Sequence, residues 1–134
     1  RRVLFRSPAW LSAVSRLTTA DPWYCMFQIR MMAGGVVAGS CAFKGPPDEF
    51  GAVELAYGVE GPWQGQGIAT EAVRLLLKFC RGQSAVQSVI AHTVPDNAGS
   101  ARVLEKCGFV CCGPVQHPED GEVNRWELAL CSST

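Results

Sequence analysis

Gln64, Gly65, Gln66, Gly67, Ile68, Ala69 and Thr70 follow one another between an alternating stretch, Val53-Glu54-Leu55-Ala56-Tyr57-Gly58-Val59, and a helical pattern over 70–81. A glycine-rich turn between a strand and a helix exposes backbone N–H groups at a helix N-terminus. The helix dipole adds partial positive charge there, so the turn is suited to holding an anion, above all a phosphate. Small residues at 65, 67 and 69 let the backbone approach such a ligand closely, and Thr70 adds a hydroxyl. The turn does not end in lysine followed by serine or threonine, as a nucleotide-hydrolysing phosphate loop does. Its Gly65-x-Gly67 spacing is too short for a dinucleotide fingerprint, and no acidic residue ends a following strand at the required distance. On its own the turn reads equally as a tight connection with no ligand.

The elements that must position this turn are legible from periodicity. Ser7-Pro8-Ala9 reads as a helix start, with apolar residues following at helical spacing until Asp21-Pro22. Residues 23–32 read as a strand, Gly34-Gly35 as a hairpin turn and 36–44 as the return strand. A loop at Gly45-Pro46-Pro47-Asp48 leads to a strand over 53–59. The helix over 70–81 presents Val73, Leu76, Leu77 and Cys80 on one face, widened by Leu75 and Phe79. A short strand over 88–94 precedes a helix over 98–106 capped by Asn97, with Gly108-Phe109 fitting a left-handed C-cap. Strands over 110–115 and 122–130, joined by a polar loop over 117–121, complete the chain. The expected fold is α/β (α+β): a mixed, mostly antiparallel sheet with a parallel element across the helical crossovers and flanking helices.

Composition bounds the function. The chain has 134 residues, 48% apolar and 18% charged, with a formal net charge of zero. That predicts one soluble domain spanning 1–134, and no nucleic-acid partner, since no basic excess is present. Arg1, Arg2 and Arg6 read as solvated charges. No apolar run reaches a membrane span and no signal-peptide pattern opens the sequence, so no membrane partner is expected. Seven cysteines, an odd number without a C-x-x-C pair, read as small apolar residues of a cytoplasmic protein. The two histidines lie near no cysteine pair, so no metal site is expected.

The context of the turn carries a family resemblance. Gln64-x-x-Gly67-x-Ala69 is similar to the Q/R-x-x-G-x-G/A pattern of the GNAT superfamily of N-acetyltransferases. Asn97-Ala98-Gly99-Ser100, continued to Lys106-Cys107-Gly108-Phe109, resembles the family's last helix, N-x-x-S-x-x-x-x-x-K-x-G-F. Tyr57-Gly58-Val59 and Gly67-Ile68-Ala69-Thr70-Glu71-Ala72 look like the RimJ/RimL-type branch. The resemblance is strongest over 53–109. It implies strands that splay at the centre of the sheet, and transfer of an acetyl group from acetyl-coenzyme A to a primary amine by direct attack in a ternary complex. It also implies more material before the hairpin than this chain provides, so the N-terminal portion is expected to be shortened, with residues 2–5 as the remnant of a first strand.

The same resemblance assigns roles. The backbone of Gln64, Gly65, Gln66, Gly67, Ile68 and Ala69, with Thr70, would cradle the pyrophosphate. The edge at Tyr57, Gly58 and Val59 would pair with the pantetheine amides, Tyr57 reading equally as core packing. Asn97 would contact the pantetheine arm besides capping its helix. The tyrosine that many members place in this helix to protonate the leaving thiolate is Leu104 here. Ser100 matches a serine proposed instead in the branch, where it would hydrogen-bond the developing thiolate. Glu54 matches a strand glutamate that acts as general base, and His92 is the other candidate base, solvent being the third possibility. Glu71 reads as a structural first-turn acid. Arg102 and Lys106 share a helix face and read as solvated cations rather than cofactor contacts. No cysteine reads as an acyl-carrying nucleophile. The acceptor is open between a protein N-terminus and a small-molecule amine, the oligomeric state between monomer and homodimer. The alternative function is a coenzyme A-binding sensor without turnover.

Overall fold

The structure, a computed structural model, describes residues 23, 26–30, 35–118 and 120–130. The helix expected before Asp21 and a strand at 2–5 lie outside the described residues. Six strands and two helices follow: β1 Met26–Arg30, β2 Val37–Phe43, β3 Ala52–Val59, α1 Ile68–Arg81, β4 Ser88–Thr93, α2 Ala98–Lys106, β5 Val110–His117 and β6 Gly121–Ala129. They form one sheet in the order β1-β2-β3-β4-β6-β5. Among the described strands only β3 and β4 run parallel; every other neighbouring pair is antiparallel. The mixed sheet expected from the sequence is therefore present. One detail differs. The crossover through α2 does carry the chain to a strand parallel in direction to β4, but β6 inserts between the two and pairs with both.

The alternation in β3 sets the two faces of the sheet. Val53 and Leu55 are buried in the core while Glu54 and Ala56 point the other way. The core face meets Phe27, Ile29, Cys41 and Phe43 from the hairpin and Val73, Leu76, Leu77 and Cys80 from α1. Trp23 meets Phe43 and Phe79 edgewise at one end of this core while Phe43 and Phe79 are tilted against each other, with ring centroids 4.8–5.7 Å apart.

Helix boundaries follow local chemistry. α1 begins at Ile68, two residues before the expected start, because Gly67 takes a left-handed conformation (φ +80°) and serves as the N-cap. A short 3-10 turn, Gly61–Trp63, precedes it, with Pro62 in its first turn. At the N-terminus of α2, Asn97 Oδ1 accepts from the Ser100 N–H at 3.0 Å. At its C-terminus the Phe109 N–H reaches Leu104 O and the Gly108 N–H reaches Glu105 O, with Gly108 at φ +95°. That is a Schellman motif, and the buried pair Leu104 and Phe109 supplies its apolar contact.

The polar loop expected over 117–121 is tighter than the sequence suggests. β5 runs on to His117 and pairs it with Gly121, so His117 belongs to the sheet.

Candidate active site

The central strands part. β3 pairs with β4 only through Ala52↔Ser88, Val53↔Val89 and Glu54↔Ile90. Beyond Glu54, Leu55 to Val59 stay paired with β2, while Ala91, His92 and Thr93 stay paired with β6. Each strand thus keeps one partner and turns an open edge toward the gap. The wedge opens toward the glycine turn and the N-terminus of α2.

At that open end lies a cavity of about 370 Å³. Tyr57, Gly58 and Val59 form one wall, Gln64, Gly65, Gly67, Ile68, Ala69 and Thr70 a second, and Asn97 and Ser100 a third. The structure brings these residues together from three separate stretches of chain. Gln66 is the exception: it is not on the wall, and its side chain donates to Pro62 O at 3.1 Å to brace the turn. Gln64 donates to Val59 O at 2.9 Å and so ties the turn to the end of β3.

The turn is shaped for an anion. The N-cap of α1 is a glycine, so no side chain caps the first N–H groups of the helix. Gly65 and Gly67 sit at φ +75° and +80°, and the space where a Cβ would project is open at both. Their requirement for glycine is therefore conformational within the protein, and the open space in front is room for a ligand. Thr70 is buried against the same wall.

Arg102 and Lys106, exposed as expected of solvated cations, also border the cavity. Trp63, Gly99 and Val103 line it as well and were not singled out from the sequence. The signal was present in part: Gly99, Arg102, Val103 and Lys106 recur at three- and four-residue spacing, which marks one helix face. The arrangement puts an arginine and a lysine on the same cavity as a helix N-terminus, and positive charge from each source favours an anion.

A hydroxyl pair stands deeper in. Tyr57 Oη lies 2.8 Å from Ser100 Oγ and donates toward Ser100 O at 3.3 Å. Burial raises the Tyr57 pKa above the ordinary phenol value, and the hydrogen bond to Ser100 offsets part of that. The phenol is a proton donor at neutral pH. Leu104, where the resemblance would allow a tyrosine, is fully buried.

Glu54 stands where the strands part, on the sheet face opposite α1 and α2. His92 Nδ1 is 2.9 Å from its Oε2. The two candidate bases are thus one hydrogen-bonded pair. His117 Nε2 and Lys44 Nζ each approach the same oxygen to 3.6 Å. Sequence reasoning missed His117, because nothing local links the end of β5 to β3.

Comparison with known proteins bears on what this arrangement is. The family described as the acetyltransferase (GNAT) domain matches residues 5–110. The uncharacterized N-acetyltransferase YjdG of Bacillus subtilis (strain 168) is 31% identical over 74 residues, covering 55% of this chain and 44% of that protein. The chain thus spans less than half the length of that curated relative. RimL, a ribosomal L7/L12 alpha-N-protein acetyltransferase solved with coenzyme A, superposes with TM-score 0.70 at 20% identity, covering 78% of this chain and 61% of that one. A spermidine N-acetyltransferase from Vibrio cholerae, solved with coenzyme A and spermine, gives TM-score 0.70 at 16% identity, covering 90% and 73%.

Proposed function

Since the chain belongs to the GNAT acetyltransferase domain family, we propose that it transfers an acetyl group from acetyl-coenzyme A to a primary amine by direct attack in a ternary complex. One observation carries the reading: the wedge between β3 and β4 runs from an uncapped, glycine-lined helix N-terminus to a carboxylate–imidazole pair on the opposite face. When bound, acetyl-coenzyme A supplies an acyl group activated as a thioester, taken by the amine with release of the thiol. The N–H groups from Gly65 to Thr70 hold the pyrophosphate, Gln64 N–H being engaged by Gly61 O, with Arg102 and Lys106 neutralising phosphate charge. The open edge at Tyr57, Gly58 and Val59 and the amide of Asn97 receive the pantetheine arm as an added strand would be received.

Proton handling falls to the two polar clusters. Glu54, hydrogen-bonded to His92, accepts the proton of the acceptor ammonium, directly or through water. The Tyr57–Ser100 pair presents a half-buried O–H to the departing sulfur and stabilises negative charge as it develops there. This assigns to a strand tyrosine the task that Leu104 cannot perform from α2.

The acceptor class is a protein N-terminus or a small-molecule amine, as for RimL and for the spermidine enzyme respectively. The five described cysteines are free thiols, which suits the reducing cytoplasm.

The test is thermal denaturation with acetyl-coenzyme A, coenzyme A, ATP and NAD in parallel, followed by thiol release against a panel of N-terminal peptides, polyamines and amino acids. A coenzyme A-specific rise in midpoint with amine-dependent thiol release is expected. A rise without thiol release would turn the reading to a coenzyme A-binding sensor. No rise in a cooperatively unfolding protein would overturn both.

A further inference from the structure

We propose that Glu54, His92 and His117 form a binding site for a zinc-class divalent cation, and that the bound ion switches off acetyl transfer by occupying the Glu54 carboxylate. The three side chains come from β3, β4 and β5, far apart in sequence, yet their donor atoms all lie within 4.8 Å of one another. His92 Nδ1 is 2.9 Å and His117 Nε2 3.6 Å from Glu54 Oε2. Ligands of a tetrahedral zinc ion, bound at about 2.0–2.2 Å, stand roughly 3.4 Å apart. The two separations to Glu54 bracket that value, and the third, between the imidazoles, is no more than 4.8 Å, so the two rings need to turn toward each other to seat an ion.

The donor set selects the metal class. Two neutral imidazoles and one carboxylate suit zinc, cobalt and nickel better than the hard, oxygen-seeking magnesium or calcium. Three protein ligands leave a fourth position for water. The environment also fits. The side chains of Glu54, His92 and His117 are 25%, 13% and 11% exposed, so the site is walled on one side and open on the other. The Asp120 carboxylate stands 3.6 Å from Nδ1 of His117, the ring nitrogen turned away from Glu54. A carboxylate there favours the proton on Nδ1 and leaves Nε2 as the lone-pair donor, the outer-shell arrangement common around imidazole-bound metals. The rings of His92 and His117 meet edge to face, with centroids 4.9 Å apart, which holds the pair in place before any ion arrives.

The ammonium of Lys44, 3.6 Å from Glu54 Oε2, opposes a cation. It is the more exposed partner on a flexible stem, and it can swing into water. Its charge makes the site weaker than a structural zinc site, as a reversible inhibitory site must be.

The inhibitory half of the proposal rests on the role given to Glu54 above; the binding half does not. The chelator-treated chain would be titrated with cobalt(II). Expected are visible d–d bands saturating at one ion per chain, displaced by zinc, with no near-ultraviolet thiolate-to-cobalt charge-transfer band. His117→Gln and His92→Gln should each weaken binding at least tenfold, and Lys44→Gln should strengthen it severalfold. A charge-transfer band would move the ion to Cys111 and Cys112 and overturn the site. So would an affinity unchanged in the histidine variants, or the absence of saturable binding below about 1 mM. His117 lies at a strand end, so its variant serves if His92→Gln fails to fold. Zinc at saturating concentration is expected to abolish thiol release. Saturated cobalt binding with undiminished turnover would overturn the switch.

Discussion

Tyr57 and Gly67 show what a single residue decides here. Tyr57→Phe removes one hydroxyl from the pair with Ser100 and leaves the ring in place. It is expected to lower kcat about tenfold to a hundredfold while the KM for acetyl-coenzyme A changes little. A KM effect alone, in steady-state kinetics, would make Tyr57 a wall of the groove and nothing more. Gly67→Asp places a carboxylate and a strained φ where the N–H groups converge, and is expected to abolish coenzyme A-induced stabilisation in a variant that still folds. Glu54→Gln keeps the shape and loses the proton acceptor, so the loss should appear in kcat. At this scale the sequence was legible where chemistry is local. The glycines, Asn97 and Ser100 stand in short motifs, and their positions could be read directly. The convergence of Glu54, His92 and His117 could not, because it depends on which strands lie side by side. Arg102 and Lys106 are exposed as expected, but a helix face in isolation does not say that it also borders a cavity.

Elements were legible through periodicity, and the errors fall where tertiary pairing decides. The alternation of β3 and the three-to-four spacing in α1 locate both elements. Strand order escapes such patterns: nothing in the sequence says that β6 slides between β4 and β5. The extension of β5 to His117 is of the same kind, since its pairing with Gly121 outweighs the turn propensity of a polar stretch. The ends of α2 are each testable. Asn97→Ala removes the acceptor for the Ser100 N–H and should cost about 1 kcal/mol in denaturant unfolding, together with weaker coenzyme A binding if the amide also holds the pantetheine. Gly108→Ala meets only ordinary contact with Leu128, so its cost is the left-handed backbone, about 1–2 kcal/mol, with no effect on binding.

For the whole molecule, two buried thiols give a pH signature separate from catalysis. Cys41 and Cys80 are 2% and 0% exposed, and burial pushes both thiols up from 9.0 to about 12. The unfolded chain ionises them first. Their contribution to stability is therefore complete below about pH 9 and is lost as pH rises toward 12. At pH 10 the loss should be about 1.4 kcal/mol for each thiol. Chemical denaturation at pH 7.5 and pH 10 should reveal it, and replacing both cysteines by alanine should flatten the decline. The parting of β3 from β4 has its own mechanical meaning. The sheet is two three-stranded leaves, β1-β2-β3 and β4-β6-β5, laced by three residue pairs and clasped by α1. Amides on the unlaced margins belong to neither leaf, and a strand-like guest would complete the lacing. Amide hydrogen exchange should therefore slow along those margins on binding, while the interior of each leaf keeps the protection it already has.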